Sequence, residues 1–190
     1  MFCESCVYAK ATHKLVPKVR EGKHAMEFGG KIHSDIWGPA PVETKGGRHY
    51  YITYTDDKTQ FTNLYLLAKK SEAFESYKDH EAWCSTQLNA HIKTLHSDRG
   101  GEYLGKEFLL HLKSKGTKQK LTVHNTPQHN GVAECRNRTI VERIRALLHS
   151  SGLHKSLWGE AACHVVWLMN WTSTKAVDGM TPIRKKSNLL

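Results

Sequence analysis

The chain has 190 residues, 39% hydrophobic and 24% charged, with 28 Lys and Arg against 18 Asp and Glu, a net charge of +10 and 13 His besides. That is enough for one domain of ordinary size with a real core, and it excludes a disordered chain. No apolar run approaches a membrane span and the N-terminus lacks a signal-peptide core, so the basic excess points to a polyanionic partner, most often nucleic acid, with no membrane.

Residues 1–25 are short of apolar periodicity and rich in Lys and Arg, and read as a tail or linker separate from a core over residues 26–190. The tail carries Cys3-x-x-Cys6, while Cys84, Cys135 and Cys163 are scattered singles. An odd count with one close pair suits a reducing compartment and metal binding better than a disulfide framework.

Ile32–Trp37 is strand-like and is stopped by Gly38-Pro39. After a Gly46-Gly47 turn, Tyr50–Tyr54 and Phe61–Leu67 are aromatic and β-branched runs joined by a link containing Asp56-Asp57, which predicts a hairpin and three antiparallel strands in sequence. Ser71 is the expected N-cap of a helix through Leu88. His91–His96 predicts a fourth strand, Lys106–Lys115 a helix closed by Gly116, and Lys120–His124 a fifth strand. A loop broken by Pro127 and Gly131 then opens into a helix ending near Gly152, and a last apolar helix spans Ser156–Trp171. The order β-β-β-α-β-α-β-α-α predicts an α/β fold, a mixed five-stranded sheet flanked by helices.

On the helix after the fifth strand, Ala133, Ile140, Val141, Ile144, Leu147 and Leu148 share an apolar arc, and Glu134 lies just off its edge in the first turn. A lone acid there is ordinarily explained by the helix dipole. Asp35 in the first strand and Asp98 at the end of the fourth change the argument. If those strands are neighbours and the helix crosses their ends, three carboxylates converge. Such a cluster suits Mg²⁺ or Mn²⁺, which prefer hard oxygens, and a pair of ions suits in-line phosphoryl transfer. Without cations the three acids would shift one another's pKa values.

The words around each acid are more specific than their spacing. They are Cys3-x-x-Cys6, His33–Pro39, Tyr54–Asp57, Lys70–Phe74, Ser97–Tyr103, Thr126–Glu134, Arg136–Thr139 and Leu157–Ala161, and thirty-five residues separate Asp98 from Glu134. In these the chain resembles the integrase core of copia-type retrotransposon Gag-Pol polyproteins, from Cys3 nearly to the end. The resemblance implies a ribonuclease H-like fold and a polynucleotidyl transferase that trims and then inserts element DNA into a chromosome. Asp35, Asp98 and Glu134 fall on the family's catalytic and metal-binding acids, with Mg²⁺ or Mn²⁺ as the implied cofactor. Element DNA ends and target DNA are the implied partners, with RNA and a homo-oligomer as further ones, in the nucleus after a cytoplasmic particle stage.

Arg99, Arg136, Arg138 and Arg145 are candidate phosphate contacts, each with a solvated-face alternative. Gly100-Gly101 reads as a sharp turn, Glu102 as a surface or capping residue, Asn137 as a hydrogen-bonded structural residue, and Trp158 and Trp167 as core. The family's zinc module places a His pair upstream of its Cys-x-x-Cys. Cys3 and Cys6 offer two thiolates and the spacing of His13 and His24 is wrong for the usual motif, so no closed Zn²⁺ site is expected. Cys135 stands where relatives are usually basic, and the chain ends at Leu190 where they continue; both suggest a fragment of a degenerate element copy. Three functions stay open: a DNA strand transferase, a non-catalytic nucleic-acid-binding remnant, and a ribonuclease on RNA–DNA hybrids, the last disfavoured by the integrase-like words.

Overall fold

The strand Ile32–Trp37 (β1) is the centre of the sheet because it is the one strand paired on each side by a different kind of ladder. It runs antiparallel to β2 (Tyr50–Asp56), with Asp35 opposite Thr53, and parallel to β4 (Thr94–Ser97), with His33 opposite His96. β3 (Thr62–Leu67) and β5 (Lys118–Leu121) are the edges, giving the order β3-β2-β1-β4-β5. The structure, a computed structural model, describes residues 24–122 and 131–187. Cys3, Cys6 and His13, and most of the Thr126–Gly131 loop, lie outside the described residues.

Alternation along the strands sends the two halves of each strand's side chains to opposite faces. Ile32, Ile52, Tyr54 and Leu95 point to one face and pack with Tyr77, Cys84, Phe108 and Leu112 from helices α1 (Ala73–Leu88) and α2 (Lys106–Ser114). Tyr51 points to the other, where Ile140 and Ile144 of α3 (Gly131–Ser151) meet Trp158, Ala162 and Val165 of α4 (Trp158–Trp171). A short helix α5 (Pro182–Ser187) follows; it is absent from the order read in the sequence. It docks with Lys186 Nζ 4.2 Å from the centroid of Phe61 and 5.1 Å from that of Trp83.

Several expectations are corrected. Ser71 caps nothing: Lys70–Glu72 form a 3₁₀ turn, and Glu72 precedes the α-helix while its carboxylate accepts from Ala68 N at 2.9 Å and Arg48 at 3.2 Å. β4 begins at Thr94 rather than His91, because Lys93 N donates to Gly29 O outside the sheet ladder. β5 begins two residues before the expected Lys120. Gly116, at φ 71, turns the chain directly out of α2, and Thr94 is already level with Lys118. Trp167 is not core but 55% exposed, while Trp158 is buried as expected. The two are nine residues apart, and at 3.6 residues per turn that is two and a half turns, so they face opposite ways.

Asp56 and Asp57 do more than turn the hairpin. Both are buried, and Asp56 accepts from Gly29 N and from the amide and hydroxyl of Thr59. Asp57 accepts from Ala25 N at 2.7 Å and contacts His33 Nε2 at 2.9 Å. The pair therefore ties the first described residues to β1, and His24, with Nδ1 3.0 Å from Asp57 O, is part of that tie.

Candidate active site

β1 carries Asp35 to the mouth of the sheet, and Gly38 ends the strand two residues after Ile36. Gly38 has φ 131, and a Cβ there would lie 2.6 Å from the Tyr50 ring and 2.7 Å from His49 O, so no other residue fits. The parallel register that pairs His33 with His96, continued by two residues, brings Asp98 out of β4 level with Asp35. Asp98 is half-buried and its Oδ1 accepts from Gly100 N at 3.0 Å. Glu134 is exposed in the first turn of α3.

Asp35 is held on both oxygens. Oδ1 accepts from Ile36 N at 3.0 Å, and Oδ2 accepts from Asn137 Nδ2 at 2.8 Å. Despite these two donors, which favour the ionised form, its pKa is raised from 3.8 to about 7. Burial is the largest cause, and the negative charges of Asp98 and then Glu134 add to it. The charges of the other two acids thus bear on one carboxylate. They do not close into a cage: among the described residues, no three His, Cys, Asp or Glu side chains stand in position to hold one ion.

Asn137 is the neighbour of the acids whose partner the sequence did not reveal. It is buried and hydrogen-bonded, as expected, but its partners are the site itself. While Nδ2 holds Asp35, Oδ1 accepts from Thr53 Oγ1 at 3.4 Å, and Thr53 is Asp35's partner across the β1–β2 ladder. The signal was available in the sequence: a polar residue inside an apolar arc, three positions and so one turn after Glu134. Tyr103 is a second buried tie beside the acids. Its buried hydroxyl is 2.8 Å from Ser34 Oγ, and its carbonyl accepts from Gln119, so the segment after Asp98 is pinned to the strand that bears Asp35.

Gly100 and Gly101 are not needed for positive φ. A Cβ on Gly100 would fall 2.7–2.8 Å from the Glu102 carboxyl group, while Gly101 has open space. Glu102 folds back over Gly100 with its carboxylate 3.9 Å from Lys70 Nζ, an ion pair in place of the expected cap.

The arginines divide. Arg99 and Arg145 are exposed, and Arg99 Nε donates to Thr122 O at 3.0 Å. Arg138 is half-buried and already engaged. Arg136 is turned inward. It donates to Gln60 Oε1 at 2.8 Å, and burial lowers its pKa to about 10. It pins α3 to the β2–β3 turn, where Gln60 itself adopts φ 61. Arg136→Ala should therefore cost about 1–3 kcal/mol, as loss of a hydrogen bond to a charged group does. It should leave the salt dependence of DNA binding unchanged, and urea unfolding beside a binding titration checks both.

The sheet order and the helices on both faces define an α/β fold of the ribonuclease H-like class. A solved chain in the cryo-EM structure of the simian T-cell lymphotropic virus intasome in complex with PP2A regulatory subunit B56 gamma matches with a TM-score of 0.70, covering 97% of this chain and 63% of that one. At 15% identity, this likeness shows the fold alone. In sequence the chain is 36% identical over 168 residues, 88% of its length, to the retrovirus-related Pol polyprotein from transposon TNT 1-94 of Nicotiana tabacum. It is thus homologous to a segment of a retrotransposon Pol polyprotein, a segment that spans 12% of that relative. No protein-family model matches.

Proposed function

We propose that this chain is the catalytic core of a divalent-metal-dependent polynucleotidyl transferase that trims element DNA ends and joins them to target DNA. The supporting observation is Asp35: a carboxylate held from two sides, yet raised to about 7 by burial and by the charges of Asp98 and Glu134. A cation would relieve that repulsion, and three hard carboxylates are the donor set that Mg²⁺ or Mn²⁺ prefers. Bound by Asp35, Asp98 and Glu134, two such ions would lower the pKa of an attacking oxygen and offset charge on the leaving one.

The chain's own residues do the rest. Ile36 N and Asn137 fix the direction of the Asp35 oxygens. Gly100 N holds Asp98, and Tyr103 fixes the segment that follows it. The first turn of α3 carries Glu134 on a packed helix. The +10 charge favours DNA ends and target DNA as partners, electrostatically and without base reading. Nuclear chromatin would be the place of action, after a cytoplasmic particle stage, and a homo-oligomer would be the working form.

A second reading, a nucleic-acid-binding remnant without catalysis, draws support from the acids not closing into a three-ligand group. The two are separated by incubating the chain with Mg²⁺ or Mn²⁺ and a branched DNA that mimics a half-integrated end. The enzyme reading expects strand cleavage and rejoining. Asp98→Asn and Glu134→Gln should each lower the rate roughly 100- to 1,000-fold, the scale seen when one preorganised charge-stabilising group is lost. DNA binding without turnover by the unaltered chain would favour the remnant.

A further inference from the structure

The charges of the chain are unevenly distributed along it. No Asp or Glu occurs between Glu107 and Glu134, whereas Lys113, Lys115, Lys118 and Lys120 all fall in that interval. Lys113 and Lys115 close α2, and a cation at a helix C-terminus is explained by the helix dipole alone. Lys118 and Lys120 have no such explanation. Both lie on β5, both are exposed, and among the described residues neither forms an ion pair.

Lysine on an edge strand also discourages pairing with other chains. That role can be served from either face of the sheet, and the register shows which face is used. Lys120 is level with His96 of β4, which is level with His33 of β1, and neighbours across a ladder share a face. Asp35 is two residues beyond His33 and so shares that face too. Lys118 and Lys120 therefore present their side chains on the side of the sheet that carries Asp35. Here α3 lies over β1 and β2 and leaves β5 open to solvent. With strands about 4.8 Å apart, β5 lies roughly 10 Å from β1, a few nucleotides along a strand whose reacting phosphate is at the acids. The strand also runs toward the site, since Thr122, just past its end, is bound by Arg99, the residue after Asp98.

We infer that Lys118 and Lys120 form a shelf along the β5 edge for the sugar–phosphate backbone of a DNA duplex that leads away from the acids. The inference rests on the enzyme reading for its occupant but not for its geometry, which is the shared face, the absence of counter-charges among the described residues and the distance to Asp35. The shelf reads no bases. Each lysine neutralises one phosphate, and binding through it is lost steeply as salt rises.

The test is a salt titration of the full chain on a fluorescently labelled duplex of arbitrary sequence, followed by anisotropy. Lys118→Gln/Lys120→Gln should reduce the log–log salt slope by about 1.8, at about 0.9 per phosphate contact. Its thermal melt should not change, because both side chains are exposed. Lys113→Gln/Lys115→Gln should leave the slope as it is. An unchanged slope in the first variant, an equal fall in the second, or no duplex binding by the unaltered chain overturns the shelf. Turnover on branched DNA is scored separately: turnover with an unchanged slope removes the shelf and keeps the enzyme, and a fallen slope without turnover does the reverse.

Discussion

Asp35→Asn should make the metal-free chain more stable while abolishing any metal-dependent activity. In the unfolded chain Asp35 ionises near 3.8, and in the folded chain only near 7. Between those values the folded state holds a proton that the unfolded state has released, so stability falls as pH rises through this window and stays low above it. A shift of this size corresponds to about 4 kcal/mol at ~1.4 kcal/mol per unit. Solvent screening at a half-buried group reduces that to roughly 2 kcal/mol. Asn has the same shape, still accepts from Ile36 N, and leaves Asn137 free to turn its amide over and accept in its place. It carries no charge for Asp98 and Glu134 to repel. At pH 8 the variant should melt about 4–8 °C above the parent in chelator, and the difference should shrink toward zero as pH falls to about 4. Added Mg²⁺ or Mn²⁺ should raise the melting point of the parent and leave the variant unmoved. A variant less stable than the parent by the same amount at both pH values would show that the repulsion on Asp35 is not felt.

Asn137→Leu should lower turnover on branched DNA on the order of 100-fold, since small misplacements of a reacting group cost about that much. The substitution keeps the branched outline, though Leu is bulkier, and suits the surrounding arc, where Ala133, Ile140 and Ile144 are buried. It removes the donor to Asp35 Oδ2 and the acceptor for Thr53 Oγ1 together. Because the Asn137 hydrogen bond lowers the pKa of Asp35, its loss should move that pKa further above about 7. The acid limb of the rate–pH profile should therefore shift to higher pH, an effect that general loosening of the fold would not produce. Asn137→Gln, which retains the amide, should recover part of the rate at saturating metal. An unshifted profile in the Leu variant would reduce Asn137 to a packing residue.

Much of the fold was legible in the sequence because local signals dominate its strands and helices. β1, β2 and β3 stand within a residue or two of where alternation and the Gly38-Pro39 and Gly46-Gly47 breaks put them. α1, α2 and α3 follow their apolar spacing. The errors arise where a local signal is outweighed. Ser71 is a good capping residue, but Glu72 makes a better-connected turn with Ala68 and Arg48. Lys120–His124 has strand character, but the register against β4 moves the strand back to Lys118. Trp167 is as apolar as Trp158, and only the side of the helix decides which one is buried.

By itself the sequence determined the composition class, the number and order of the strands, the alternation that assigns each strand residue to a face, and the homology to a retrotransposon Pol segment. It also named the three acids, because the words around them are contiguous. Tertiary structure alone decided how residues far apart in the chain act on one another. β4 crosses over to lie parallel beside β1, which sets Asp98 level with Asp35 across 63 positions of sequence. α3 returns over the same face and places Asn137 against the Asp35 carboxylate, while turning Arg136 inward to Gln60. Periodicity reports which side of an element is apolar, but not what lies against it. Desolvation, repulsion between carboxylates and a shared hydrogen bond depend on separations of a few ångströms between elements, and those separations exist only once the sheet has closed its order.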